Sequence, residues 1–146
     1  MRSSLFALNT AGYGGSGSDL LGAFTSLGHN LLGQTEGSDG LANGVNGDLV
    51  GTAATPIDPR LRPLTDNGGP TLTMSLFPDS AAFDAGDDTL TGTDQRGLPR
   101  LAGAHVDIGA FELDPSTVFA PAIISTIATV SNHPNSPIDP DQASHR

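Results

Sequence analysis

Apolar residues along this chain come in twos and threes, and a Gly, Asn or Ser then interrupts them. Ser26-Leu27-Gly28-His29-Asn30-Leu31-Leu32-Gly33 and Val45-Asn46-Gly47-Asp48-Leu49-Val50-Gly51-Thr52 are typical. Before residue 114, no window long enough for a helix keeps an apolar stripe at a period of 3.6. The pattern predicts strands of three to five residues, closed by Gly or Asn that tolerate positive φ. The pairs Asn43-Gly44, Asn46-Gly47 and Asn67-Gly68 mark tight turns. Such turns serve β-hairpins, and they serve equally the corners of a solenoid whose short strands stack. Leu-Leu-Gly recurs at 20–22 and 31–33, and Asp-Leu at 19–20 and 48–49. Two partial echoes leave a solenoid end and a small β-sandwich both open.

Composition sharpens the all-β reading. Of the 16 acidic residues only Glu36 and Glu112 are Glu; the rest are Asp, and the six basic residues are all Arg. Asp bonds nearby backbone N–H groups and favours turns and caps over helix interiors. With 19 Gly and 11 Pro in 146 residues, any core must be built from short elements between many turns. The net charge of −10 repels phosphate backbones, so no nucleic-acid partner is expected. The absence of Cys removes disulfides, thiolate catalysis and Cys-ligated zinc. No apolar run approaches the roughly 18 residues of a membrane span, so no transmembrane segment is expected. The longest run, Val118 to Val130, is interrupted by Pro121, Ser125, Thr126 and Thr129. The stretch after Met1 is too short for the apolar region of a signal peptide.

From residue 26 onward a series of blocks follows in order. After 26–33 come Gly47-Asp48-Leu49-Val50-Gly51-Thr52 and Ile57-Asp58-Pro59-Arg60-Leu61-Arg62-Pro63-Leu64. Asp66-Asn67-Gly68-Gly69-Pro70-Thr71-Leu72-Thr73-Met74-Ser75-Leu76 and Pro78-Asp79-Ser80-Ala81-Ala82-Phe83-Asp84-Ala85-Gly86 follow. Thr93-Asp94-Gln95-Arg96-Gly97-Leu98-Pro99-Arg100 and Val106-Asp107-Ile108-Gly109-Ala110-Phe111-Glu112 close the series. Together they resemble the choice-of-anchor Q domain, which ends bacterial right-handed parallel β-helix proteins of polymorphic outer-membrane-like or pectate-lyase-like type. Ser80-Ala81-Ala82-Phe83-Asp84 departs from that family's more usual Ser-Pro followed by Ala-Ile-Asp.

The resemblance implies an all-β fold: the end of a right-handed parallel β-helix followed by an irregular, turn-rich capping region. It divides the chain into last β-helix coils (1–55), a capping region (56–113) and a linker or flexible tail (114–146), in which 123–130 could add one strand. It implies a secreted, cell-surface or outer-membrane-associated bacterial protein. The expected role is non-catalytic, as a structural or interaction region of an adhesin or carbohydrate-contacting scaffold. Its partners would be polysaccharide or cell-surface components. The alternative is a fragment of a pectate-lyase-like polysaccharide lyase or glycosidase whose active site lies on other coils; fold alone does not license that activity.

The residues themselves offer no catalytic, cofactor-binding or metal-binding set. Asp94, Arg96 and Arg100 could hold an anionic sugar, but the preferred reading is structural: Arg96 tying loops together through Asp84, Asp94 or Asp107. Asp84, Asp87, Asp88 and Asp94 form the densest carboxylate cluster. Calcium is the one cofactor they leave open, although their spacing fits neither an EF-hand nor a nonapeptide calcium repeat. Turn and cap roles are preferred for them. His29 and His105 stand isolated in sequence and are expected in loops. The Gly/Ser-rich stretch at 12–18 lacks the Lys and following helix of a phosphate loop. Asn30, Asn43, Asn46 and Asn67 are candidate corner residues, and Asn30 in particular is expected where its side chain bonds successive turns.

Overall fold

The computed structural model describes residues 1–10 and 19–118. They are strand, turn and irregular chain, with one four-residue helix. The strands are β1 (Leu5–Phe6), β2 (Gly22–Ala23), β3 (Leu31–Leu32), β4 (Ser38–Asp39) and β5 (Leu49–Val50), and the helix is α1 (Pro115–Val118). The strand pairs are parallel. Leu5, Leu31 and Leu49 stack in register, as do Phe6, Leu32 and Val50, giving the order β1-β3-β5. A second parallel pair joins β2 to β4, with Gly22 opposite Ser38. The chain is all-β in character, with parallel rungs in place of a meander of hairpins.

The strands are shorter than the three to five residues expected, and the backbone just before the ladder gives the reason. Ser3, His29 and Gly47 each stand two positions before a ladder Leu, and each has positive φ, at 44°, 55° and 75°. A left-handed residue turns the chain sharply and breaks the regular ladder there, so the bonds before it, such as Ser3 N–H to the Gly28 carbonyl (3.1 Å) and His29 N–H to the Asn46 carbonyl (3.0 Å), stand apart from the two-residue strands. Glycine tolerates this conformation at position 47, and elsewhere the surrounding bonds hold it. The next residue of each rung is Ser4, Asn30 or Asp48. Asn30 Oδ1 accepts from the Ser4 N–H (3.2 Å), and Asn30 donates from Nδ2 and its own backbone N–H to Asp48 Oδ1, both at 2.9 Å. A polar ladder thus runs beside the aliphatic one at the corner, with Asn30 in the expected role. Asn30 and Asp48 are fully buried, so these bonds replace the water they lose.

Residues 56–113 pack across the face of the parallel ladder. Leu31 shares one buried cluster with Leu76, Ala82, Ile108, Phe111 and Leu113, and Leu5, Leu49 and Ile57 pack at its margin. Hydrogen bonds tie this segment to the β1 and β3 rungs, and Leu49 of β5 meets it through apolar packing. Gly109 N–H donates to the Ser3 carbonyl (2.9 Å), His29 Nδ1 donates to the Ala85 carbonyl (3.0 Å), and Ile57 N–H donates to the Gly33 carbonyl (2.9 Å). Antiparallel bridges pair Leu61 with Leu76 and Thr65 with Thr73, making a hairpin whose turn carries Asn67-Gly68. Asn67 Nδ2 closes that turn on the Thr73 carbonyl (2.9 Å).

α1 lies in the segment expected to be a linker. Asp114 Oδ1 accepts from the Ser116 N–H (2.8 Å) and Pro115 opens the first turn, a local capping arrangement. The remainder of that segment, including 123–130, and the Gly/Ser stretch from residue 12 lie outside the described residues. No helix among the described residues is long and apolar enough to cross a membrane.

Candidate functional site

Two polar clusters contain the chemistry-bearing residues singled out above. The first is interior. Asp94 takes three backbone N–H groups, from Arg96 (2.8 Å), Leu98 (3.2 Å) and Glu112 (3.1 Å). Arg96 then reaches Asp94 Oδ2 with Nε at 2.8 Å and Nη2 at 2.7 Å, and Nη2 also donates to the Glu112 carbonyl. The guanidinium lies 3.6 Å from the centre of the Phe111 ring. Its side chain is 11% exposed and that of Asp94 is not exposed at all. These bonds hold the Asp94 carboxyl below the usual range even though burial opposes them. Of the three expected partners of Arg96, Asp94 is the one it meets.

Asp84 and Asp107 serve backbone groups instead. Asp107 accepts from the N–H groups of Asp84 and Leu113, both at 2.7 Å. Asp84 accepts from the His105 N–H at 2.9 Å. Arg100 donates to the carbonyls of Gly109 (2.7 Å) and Asp107 (3.2 Å). Glu112, which the sequence argument left unassigned, is fully buried and accepts from the Asp107 N–H (3.1 Å). Burial pushes the Asp107 carboxyl up to about 6 and that of Glu112 to about 7. The Arg96 and Arg100 guanidinia are both engaged by the chain's own oxygens, so neither presents an open fork to a sugar carboxylate.

The second cluster is open to solvent. His29 and His105, far apart in sequence, line one pocket of about 430 Å³ with Asp84, Asp87 and Asp88. Hence the two histidines are not isolated in space. No sequence spacing could have shown this, because the corner at His29 and the crossing chain at 84–88 meet only after folding. His105 Nδ1 is 2.7 Å from Asp88 Oδ2, and this contact raises the His105 pKa and lowers that of Asp88. Asp87 accepts from the N–H and hydroxyl of Thr89 and pairs with Arg2 at 3.3 Å. Of the four clustered aspartates, Asp94 belongs to the interior network and the other three to this pocket. Among the described residues, no group of three or more His, Asp or Glu is placed to hold a metal ion.

The pocket wall carries imidazoles and carboxylates but no hydroxyl, thiol or amine nucleophile. Its imidazoles and carboxylates can exchange protons with, or hydrogen-bond, a hydroxylated ligand. No family model matches the chain, and neither a curated protein nor a solved structure matches it.

Proposed function

We propose that this chain is the terminal region of a right-handed parallel β-helix of choice-of-anchor Q type. Its role there is structural: residues 56–113 close the apolar face of the last coils in a secreted or cell-surface protein. One observation supports this most directly. Leu76, Ile108, Phe111 and Leu113 share a buried cluster with the ladder residue Leu31. A parallel ladder with an aliphatic inner face needs that face covered, and a chain end that crosses it does so without adding a rung. The right hand follows the strong preference of parallel crossover connections. The Asp94–Arg96–Glu112 network then works as a clasp on the covering segment, with polysaccharide or cell-surface contacts made by neighbouring coils.

The test is cooperativity. Phe111→Ala removes a ring from both the shared core and the guanidinium stack, and should cost about 3–5 kcal/mol. If the region covers the ladder as part of one unit, ladder and cover lose their amide-exchange protection together in this variant. Loss confined to 56–113, with β1, β3 and β5 still protected, would refute the reading. Turnover of polygalacturonate or another acidic glycan by the chain alone would favour the lyase or glycosidase alternative.

A further inference from the structure

The two outer edges of the parallel ladder are finished differently. At β5, Asn43 Oδ1 accepts from the Val50 N–H (3.0 Å) and caps the outward donor of that edge. At β1, the carbonyls of Ser4 and Phe6 accept from Leu31 and Gly33 and so point toward β3. The alternation of a parallel strand then directs the Leu5 N–H and C=O the other way, and neither has a partner among the described residues. Beside this edge opens a groove of about 580 Å³ walled by Leu5, Leu61, Leu76, Ile108 and Phe111. Leu64, Leu72 and Met74 stand on its rim, 59%, 54% and 41% exposed. Leu76, Ile108 and Phe111 also cover Leu31 in the core. The groove is therefore the same interface continued past the first rung.

We infer that this edge and groove together seat one further parallel strand, from the coil preceding β1, with an aliphatic side chain stacked on Leu5. The inference rests on the β-helix reading and adds that the 61–76 hairpin clamps one rung more than it covers in this chain. Parallel orientation follows from the existing ladder, whereas two copies meeting edge to edge about a two-fold axis would pair antiparallel. A net charge of −10 on each copy also opposes self-association. The rung immediately before the strand would carry a small polar corner residue, continuing the line of Ser4, Asn30 and Asp48.

The spacing of the ladder supplies a probe. Leu31 and Leu49 are 18 residues apart. A second copy of residues 27–44 placed directly before Met1 therefore sets a Leu-Leu pair one rung above Leu5–Phe6 at that same spacing. Three readouts apply to the extended chain: fluorescence of a hydrophobic dye, amide exchange at Leu5, and melting temperature with and without Leu72→Ser. The inference expects dye fluorescence to fall and Leu5 exchange to slow at least about tenfold. It expects Leu72→Ser to lower the melting temperature of the extended chain more than that of the chain without the extension. The same extension with Asp in place of its Leu-Leu pair should do none of this. If Leu5 is protected but the groove still binds dye and Leu72→Ser acts equally in both chains, the clamp is refuted and the β-helix reading stands. If Leu5 gains no protection, the docking inference fails, and the Phe111→Ala exchange experiment decides the β-helix reading independently.

Discussion

Replacing Arg96 with Lys separates the shape of the guanidinium from its charge. The arginine makes two contacts to Asp94 Oδ2, at 2.8 and 2.7 Å, and one to the Glu112 carbonyl, while its plane rests on Phe111. A lysine ammonium sits at the end of a flexible stem and cannot hold the carboxylate and the carbonyl while stacking on the ring. It retains the charge and one bond. Of the two hydrogen bonds, Nε to Asp94 and Nη2 to the Glu112 carbonyl, one is then lost, about 1.5–3 kcal/mol, with part of a cation–π contact worth about 0.5–1 kcal/mol. A net cost of about 2–3 kcal/mol corresponds to a melting temperature lower by roughly 8–12 °C for a domain of this size. Arg96→Met goes further, leaving the buried Asp94 carboxylate without its cation, and should cost about 3–5 kcal/mol. Chemical and thermal denaturation followed by circular dichroism measures both variants. A change below about 0.5 kcal/mol for Arg96→Lys, or no further loss in Arg96→Met, would show that the clasp carries no stability.

Further outcomes follow from the same geometry. Gly51→Ala should abolish folding or cost more than about 3 kcal/mol, because its Cβ would overlap the Gly33 carbonyl oxygen and lie 2.7 Å from the Ile57 nitrogen, both backbone atoms. Gly44→Ala, with nothing within 4 Å and a φ of 78°, should cost only about 1 kcal/mol in the same denaturation assay. Asn30→Asp sets a second carboxylate against Asp48 Oδ1 in place of an amide donor; the variant should be markedly less stable at neutral pH and recover as the pH falls, read from melts across pH. The parent chain should itself be more stable near pH 5 than near pH 8. Asp107 and Glu112 have folded pKa values raised to about 6 and 7, above 3.8 and 4.5, so the folded state binds their protons more tightly. Their contribution is fully present below the unfolded values and is lost as pH rises through 6 and 7. His105, also raised, acts in the same direction, whereas the lowered Asp87, Asp88, Asp94 and Asp114 lose their contribution only as pH falls toward and below 3.8. Asp107→Asn with Glu112→Gln should flatten the alkaline limb, and an unchanged limb would refute the assignment.

The all-β character was legible because no segment before residue 114 has a helical period, and the corner role of Asn30 was legible because an Asn side chain at a tight bend can bond successive turns. The repeat itself was misleading in sequence. Leu-Leu-Gly at 20–22 looks like an echo of 31–33, yet Leu21 is 80% exposed and Gly22 belongs to β2, outside the main ladder. The true equivalents are Ser4-Leu5-Phe6, Asn30-Leu31-Leu32 and Asp48-Leu49-Val50. They share a small polar residue followed by two apolar ones, a pattern too common to stand out when the intervals are 26 and 18 residues. Register in such a ladder is set by corner bonding and by the left-handed residue before each strand, and neither leaves an evenly spaced trace.

The polar residues read as structural in sequence for a related reason, and one consequence of their burial does not show there. A chain with abundant Asp can satisfy backbone N–H groups wherever regular pairing stops, and here nearly every rung is two residues long. Asp48, Asp94 and Asp107 each receive backbone donors in the interior, and among the described residues no buried side-chain nitrogen or oxygen lacks a partner. Asp thus replaces the ladder bonds that longer strands would have supplied. The cost is electrostatic: Asp107 and Glu112 are buried with Arg100 directed at carbonyls, so the cluster is short of cations and holds its protons into the neutral range. A fold closed by carboxylates in place of strand pairing is thereby coupled to pH, and that coupling comes from the structure of the cover whatever the coils beside it bind.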